Sequence, residues 1–338
     1  MKVLITGGAG FIGSNFIIWA LKNKPEWEIL NLDKLTYAGN LENLKSVKDD
    51  PKYRFVQADI CDKKLVNELM KGVGLVVHFA AESHVDRSIL EPAAFIETNI
   101  LGTQILLQAA LENNVKHFHH VSTDEVFGAL ELGTNIKFNE NTPYNPHSPY
   151  SASKASSDHL VRAYSDTFGL KYTITNCSNN YGPLQFPEKI IPVFISNAIE
   201  NKSLPIYGDG QSIRDYLYVE DHCEAIALVI EKGKPNSTYC VGGDSEINGI
   251  QMAETILAAL GKSKELMTFV KDRPGHDRRY AIDFSKIKNE LGWEPKVTFK
   301  EGIGKTIDWY LSNAEWLENV KNGDYQKFYQ LNYENKLV

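Results

Sequence analysis

Two short stretches carry side chains able to do chemistry together. The first, Ser122-Thr123-Asp124-Glu125-Val126-Phe127, follows the apolar run Val115 to Val121; the second is Tyr150-Ser151-Ala152-Ser153-Lys154. Tyr150 and Lys154 stand four residues apart, so on a helix they share one face. A free phenol ionises near pH 10, and making it a base near neutrality takes a shift of roughly three units, about 4 kcal/mol. A neighbouring ammonium and a cationic nicotinamide ring can supply that shift. Such a base takes a proton from an alcohol while hydride leaves the same carbon. Asp124 and Glu125 add two carboxyls at a strand end, the place where doubly wound sheets bind ligands. Acids at such points also act as helix N-caps or turn formers. Adjacent side chains of a strand point to opposite faces, so both acids reach one ligand only if the chain leaves strand geometry here.

The elements that must position these groups can be read from the start of the chain. Val3-Leu4-Ile5 leads into Thr6-Gly7-Gly8-Ala9-Gly10-Phe11-Ile12-Gly13, and a helical pattern follows with Phe16, Ile17, Ala20 and Leu21. Gly8, Gly10 and Gly13 fit G-x-G-x-x-G, and Gly7, Gly10 and Gly13 fit the wider spacing. Strand, glycine turn and helix stand in the order a dinucleotide site needs, with pyrophosphate on the helix N-terminus. Ile29 to Leu32 is the next strand, and Asp33 ends it twenty residues past Gly13, where a ribose-binding acid is expected. A carboxylate there accepts from a 2′-hydroxyl and repels a 2′-phosphate, which favours NAD over NADP. Lys34 weakens that preference slightly.

Phe55 to Ile60 reads as a third strand and turn. Asp59 there suits either the adenine amino group or the N-cap of a helix over 62–71. Leu75 to Ala81 reads as a fourth strand, and Glu82 to Ser88 as a polar loop at its carboxyl end. Residues 93–112 read as a long helix interrupted by Asn99 and Gly102, and Val115 to Val121 as the fifth strand. This alternation gives a parallel doubly wound sheet. Residues 129–149, with Pro143, Pro146 and Pro149, form a loop ending at the Tyr150 helix. Tyr172 to Asn176 is another strand, Cys177 to Pro183 has loop composition, and Glu188 to Pro192 opens a helix. Beyond about residue 185 the strands are shorter. Leu204 to Gly210 reads as strand and turn, and Asp272 to Arg279 as a basic loop. Arg214 and Arg273 suit a diphosphate clamp. Helices are expected over 300–312 and 314–331.

A length of 338 residues suits one large domain and one small one. The formal charge of −7 argues against nucleic acid as a general partner. Cys61, Cys177, Cys223 and Cys240 are far apart, and His117, His119 and His120 lack completing ligands, so no metal site and no disulfide framework is expected. The opening residues run straight into a strand, and no apolar run reaches about 18 residues. A cytoplasmic location, with no membrane association, is therefore the expectation.

Taken together, Gly7 to Gly13, Tyr150 with Lys154, and the strand-end acids resemble the extended short-chain dehydrogenase/reductase family. Within it, Asp33 to Asn40, Ala81 to Ser88, Ser122 to Gly128 and Asn176 to Pro183 resemble the branch that dehydrates nucleotide sugars. The resemblance implies a Rossmann-type doubly wound α/β fold. Residues 1–185 would form an NAD-binding domain with the catalytic groups. Residues 186–338 would form a smaller α/β domain, mainly for the nucleotide sugar, with some chain crossing back. It implies conversion of dTDP-glucose to dTDP-4-dehydro-6-deoxy-glucose and water. The catalytic set it implies is Thr123, Asp124, Glu125, Tyr150 and Lys154.

The same resemblance places Gly7, Gly10, Phe11, Ile12, Gly13, Asp33, Lys34, Leu35, Thr36, Asp59 and Ile60 at NAD. It adds Phe79, Ala80, Ala81, Ser83, Thr98, Tyr150, Lys154 and Asn180. The nucleotide sugar falls to Ser83, Thr123, Asn179, Lys189, Ile190, Pro205, Ile206, Tyr207, Arg214, Asn248, Asp272, Arg273 and His276. Other readings are a related 4-epimerase, a GDP-mannose-type dehydratase, or a non-catalytic NAD(H)-binding regulator. The apolar helices 93–112 and 150–168 are expected to pair across a homodimer.

Overall fold

Apolar runs of four to seven residues alternate with helices along the first half of the chain. Buried on both sides, they line up in parallel. The computed structural model describes residues 1–321 and 330. Strands β1 (Lys2–Thr6), β2 (Glu28–Asp33), β3 (Tyr53–Gln57), β4 (Leu75–His78), β5 (His117–Thr123) and β6 (Tyr172–Cys177) join with β10 (Ser237–Val241) in a seven-stranded sheet. Its order is β10-β6-β5-β4-β1-β2-β3, and every pairing is parallel. The order reverses between β1 and β4, and a crevice opens there at the carboxyl ends of the strands.

Helix α1 (Phe11–Asn23) buries Phe16, Ile17 and Ala20 against the sheet. Helix α2 (Lys63–Leu69) is capped by Asp62, whose Oδ1 accepts from Leu65 N at 3.0 Å. The cap is therefore not Asp59. The polar stretch after β4 is only partly loop: α3 (Val85–Leu90) starts inside it, with Val85, Asp86 and Ser88 buried. The long helix exists as α4 (Pro92–Phe95), a π-helical stretch Ile96–Gly102 and α5 (Thr103–Glu112). Its wide turn sits where the sequence placed the two interruptions. Asn99 is buried and bonds both the Glu82 backbone and Ser153 Oγ, and a Cβ on Gly102 would meet Ile60 Cδ1 at 2.5 Å.

Helix α6 (Pro149–Phe168) starts with a Ser148/Ser151 capping box and Pro149 in its first turn, and Gly169 ends it at φ 76°. Strand β7 (Asn179–Tyr181) lies in a stretch of loop composition; it pairs with β9 (Ile213–Tyr218), which also carries β11 (Glu246–Asn248). Between them come α7 (Ile190–Ile199) and β8 (Leu204–Tyr207), and β8 pairs with β12 (Met267–Val270). Helix α8 (Val219–Lys232) shares a core with α1, through Val219, Cys223 and Ile226 against Phe16 and Ile17. A separate core gathers α7, α9 (Gly249–Ala259), α11 (Phe299–Ser312) and α12 (Ala314–Val320). Helix α10 (Ser285–Leu291) covers β10 through Ile287. The part of the 314–331 helix beyond α12 lies essentially outside the described residues. No described helix is long and apolar enough to cross a membrane.

Candidate active site

One cavity of about 410 Å³ runs along the carboxyl ends of β1, β2, β4, β5 and β6 and on to β8 and β9. The glycine turn forms one end. Gly7, Gly10 and Gly13 line the cavity, whereas Gly8 packs inward, its Cβ position 2.3 Å from Asn31 Oδ1. The wider glycine spacing is therefore the one in use. A Cβ on Gly7 would lie 2.5 Å from Ala80 N, and one on Gly13 would lie 2.3 Å from Gly7 O. The backbone thus approaches the helix N-terminus as closely as pyrophosphate binding requires.

Asp33 sits at the end of β2 with its carboxylate held by Ala9 N at 2.9 Å and Leu35 N at 2.8 Å. Burial raises its pKa, and those two amides oppose the rise. Lys34 turns to Asp59, Nζ to Oδ2 2.6 Å, so the cation beside Asp33 already has a partner. Phe11, Ile12, Thr36, Ile60, Phe79, Ala80, Ala81 and Thr98 line the same end. This groove fits NAD: close backbone at the pyrophosphate and a carboxylate at the ribose. Leu35 contributes its backbone amide to Asp33 and does not line the cavity.

At the middle of the cavity, β5 stops at Thr123 and the chain turns. Asp124–Phe127 is a 3-10 turn, Thr123 caps it by accepting from Glu125 N at 3.3 Å, and Gly128 follows at φ 88°. The chain thus leaves strand geometry at the expected point, and of the two acids Glu125 reaches the cavity. They differ sharply in setting. Glu125 lines the cavity; burial raises its pKa while Lys189, Arg273 and Arg214 pull it down. Asp124 lies behind this wall, 1% exposed. Burial pushes its carboxyl well above the usual range, and Glu125 and Asp215 push the same way. Its Oδ1 accepts from Thr123 Oγ1 at 3.3 Å, and its buried Oδ2 has no hydrogen-bond partner.

Tyr150 and Lys154 lie on the buried face of α6 and both line the cavity. Burial pushes the Tyr150 phenol well above its usual range, and Glu125 adds to this; a hydrogen bond with Thr123 opposes them. Lys154 Nζ donates to Val121 O at 2.8 Å and to His120 Nε2 at 3.4 Å, and burial pushes its pKa down to about 8. The other strand histidines bond within the sheet: His117 and His119 both contact Thr173 Oγ1, at 2.7 and 2.8 Å.

The far end is cationic. Lys189 Nζ donates to Ser83 O at 2.9 Å. Arg214 stacks 4.2 Å over the Tyr280 ring and bonds its own strand through Ile213 O, while its buried Nη2 has no partner. Arg273 Nη1 donates to Asp86 Oδ1 at 3.2 Å, and its buried Nε has none. Unmatched guanidinium N–H groups in a cavity wall suit an anionic ligand. Asn179, Asn180, Ile190, Pro205, Ile206, Tyr207 and His276 complete this end. Two sequence candidates stay out of it. Asn248 caps α9 by accepting from Gln251 N at 2.8 Å, and Asp272 holds His276 Nδ1 at 2.6 Å.

Two carboxylates in this wall escaped the sequence reading. Asp86 accepts from both Arg273 and Tyr207, the latter at 2.9 Å. Glu188 accepts from Tyr37 OH at 3.2 Å and Arg87 Nε at 3.3 Å, with Arg87 stacked 3.6 Å over the Tyr37 ring. Both tie the segment after β4 to the second half of the chain. The polar run 82–88 next to a strand end was the one available signal.

Comparison with known proteins agrees with this geometry. The family model described as GDP-mannose 4,6 dehydratase matches residues 4–306. The dTDP-glucose 4,6-dehydratase of Shigella flexneri is 53% identical, the match covering 99% of this chain and all of that protein. Among solved structures, the dTDP-glucose 4,6-dehydratase of Streptomyces venezuelae, with NAD and TYD bound, superposes with TM-score 0.93 at 47% identity, covering 95% of this chain and all of that one. That of Bacillus anthracis, in complex with NAD, gives TM-score 0.88 at 45% identity, again covering 95% of this chain and all of that one.

Proposed function

This chain belongs to the dTDP-glucose 4,6-dehydratase family of NAD-dependent hydro-lyases, and we propose from that premise how its residues divide the reaction. The overall change takes dTDP-glucose to dTDP-4-dehydro-6-deoxy-glucose and water, a step in deoxysugar synthesis. NAD, held by Gly7, Gly10, Gly13 and Asp33, would supply the acceptor for the C4 hydride and the donor for C6. Tyr150, as phenolate, removes the C4 hydroxyl proton; Thr123 hydrogen-bonds the C4 oxygen, and the Lys154 ammonium steadies the phenolate. The resulting C4 ketone acidifies the C5 hydrogen, so a carboxylate of moderate basicity is enough. Glu125, facing Lys189, Arg214 and Arg273, is that base, and it returns the proton to C5 as hydride reaches C6. Asp124, kept neutral, supplies the proton with which the C6 hydroxyl leaves as water.

One observation carries this division: two adjacent acids in opposite settings, one facing three cations and one buried with an unpartnered oxygen. A 4-epimerase has no use for such a pair, and a non-catalytic NAD(H)-binding regulator has no use for the pair together with Tyr150 and Lys154. Lys189, Arg214 and Arg273 hold the diphosphate, and Pro205, Ile206 and Tyr207 lie toward the base. In this reading residues 1–185 hold NAD and the catalytic groups, and residues 186–338 mainly hold the nucleotide sugar. All four cysteines are free thiols, in keeping with a reducing cytoplasm. The helices of 93–112 and 150–168 leave Ile96, Leu101 and Phe168 exposed, and pairing with a second copy in an isologous dimer would cover them.

The test is incubation with dTDP-glucose, following a 4-keto sugar nucleotide at alkaline pH and the loss of the C6 oxygen. A product epimerised at C4 with C6 still hydroxylated would make the protein an epimerase. No turnover of dTDP-glucose alongside turnover of GDP-mannose would move the substrate assignment.

A further inference from the structure

The pair Tyr150 and Lys154 extends by one more helical step. Asp158 follows Lys154 by four residues on α6, and both are buried, at 0% and 4% exposure. An ammonium taken out of water is costly unless an opposite charge lies close. Among the described residues, Lys154 has only neutral hydrogen-bond partners, Val121 O and His120 Nε2. That same imidazole nitrogen lies 3.2 Å from Asp158 Oδ1. Ammonium, imidazole and carboxylate therefore meet at one ring nitrogen. The carboxylate is firmly fixed: Oδ2 accepts from Ser122 Oγ at 2.9 Å, Tyr144 OH at 2.7 Å and Asn176 Nδ2 at 3.2 Å. Oδ1 makes no hydrogen bond of its own and is left to act on the His120–Lys154 side.

The other titratable groups around this point bring no negative charge near neutrality. The His78 ring lies 5.2 Å from that of His120. Burial lowers the pKa of both rings, that of His120 to about 4. The Cys177 thiol is pushed up to about 12, mainly by burial. Burial also raises the Tyr144 phenol, and Arg162 donates to that phenol at 2.8 Å. Asp158 itself is held at about 2, because His120, Lys154 and Tyr144 outweigh its burial.

We propose that Asp158 is a positioning residue for the first oxidation: lying beside the His120 nitrogen that accepts from Lys154, its carboxylate charge keeps Lys154 an ammonium, and so keeps the charge that lets Tyr150 work as a base. The proposal rests on the Tyr150 and Lys154 roles given above. Tyr150 and Lys154 titrate as a coupled pair. When the pair gives up one proton, the working form is phenolate with ammonium, and the idle form is phenol with amine. Asp158 favours the first. Without its charge, the lysine gives up the proton and the phenol keeps its own.

The test is Asp158→Asn in the NAD-loaded enzyme, which keeps an oxygen for Ser122, Tyr144 and Asn176. Single-turnover oxidation of dTDP-glucose is followed across pH, per folded site. The plateau rate should fall about tenfold for each pKa unit Lys154 loses, since one unit is a factor of ten. The acid limb should move to lower pH, because lysine releases its proton at lower pH. In a titration without substrate, the tyrosinate absorbance due to Tyr150 (wild type minus Y150F) should appear at higher pH. Asp158→Glu should restore part of each change. An unchanged limb and tyrosinate titration would overturn the proposal, even with a lower yield of folded protein, since a purely structural tie would give that result. If D158N does not fold, Asp158→Glu, whose carboxylate is displaced from His120 Nε2, should move limb and tyrosinate titration the same way by less; no movement would overturn the proposal. Failure of the underlying reading looks different: wild-type enzyme would not oxidise dTDP-glucose, or Y150F would oxidise it normally.

Discussion

Asp124→Asn should make the enzyme more stable as well as slow, and the gain should depend on pH. Asp124 is buried to 1% exposure beside Glu125 and Asp215, and burial first, then those carboxylates, raise its pKa well above the usual range. The sign follows from linkage. In the unfolded chain Asp124 ionises near pH 3.9; in the fold it holds its proton to higher pH. The folded state therefore loses stability as pH rises above the unfolded value, and asparagine, which does not titrate, avoids that loss. The stability difference between variant and wild type should grow by about 1.4 kcal/mol per pH unit above roughly pH 3.9, and level off once the raised pKa of Asp124 is passed. The new amide adds a constant offset, so the slope is the quantity to read. Urea unfolding of both proteins at a series of pH values measures it. The same variant should lose about a hundredfold or more in turnover, as expected for a missing general acid. A stability difference that stays flat from pH 4 upward would mean that Asp124 is ionised in the fold, and its role as acid would fall with it.

Tyr150→Phe removes only the phenolic oxygen, so it should keep NAD binding and lose about a hundredfold or more of C4 oxidation; retention of a tenth of the activity in stopped-flow traces would count against Tyr150 as base. Glu125→Gln should still oxidise C4 but not exchange the C5 hydrogen with deuterated solvent, whereas Asp124→Asn should exchange it and eliminate water slowly. Equal exchange in both variants, read by NMR, would undo the division of roles. For assembly, sedimentation at micromolar concentration should show a dimer, and Leu101→Glu, placing a charge on an exposed apolar position of the long helix, should shift it toward monomer; a wild-type monomer would refute the paired-helix interface.

Much of this was legible because the signals are local. The glycine turn, Asp33 at a strand end and the Tyr150/Lys154 spacing each sit within one element, and each side chain faces the cavity that element borders. The turn out of β5 was legible from chemistry alone: two adjacent acids can serve one site only if the strand ends between Thr123 and Glu125, and it does. What stayed hidden depends on distant chain. Strand β7 is three residues long and exists through its pairing with β9, more than thirty residues later, so no periodicity marks it. Asp86 in a polar loop and Glu188 at a helix start carried no signal of their partners, and the fold brings Arg273, Tyr207, Tyr37 and Arg87 to them. Asp59 suited either the adenine or a helix cap; the fold gives the cap to Asp62 and leaves Asp59 at the cavity. Asn248 and Asp272 show the reverse: polar residues beside the site whose hydrogen bonds fasten a helix end and a histidine.

The most direct test of the whole mechanism follows one hydrogen. Oxidation at C4 and reduction at C6 occur on one sugar in one cavity, and the cofactor ends the cycle in the form in which it began. A mixture of dTDP-glucose carrying both C4 deuterium and carbon-13 with unlabelled dTDP-glucose should give product with deuterium at C6 only in the carbon-13 molecules, by mass spectrometry. Deuterium found in product from the unlabelled sugar would mean that the hydride leaves the site between the two steps, and the closed oxidation, elimination and reduction cycle would have to be given up.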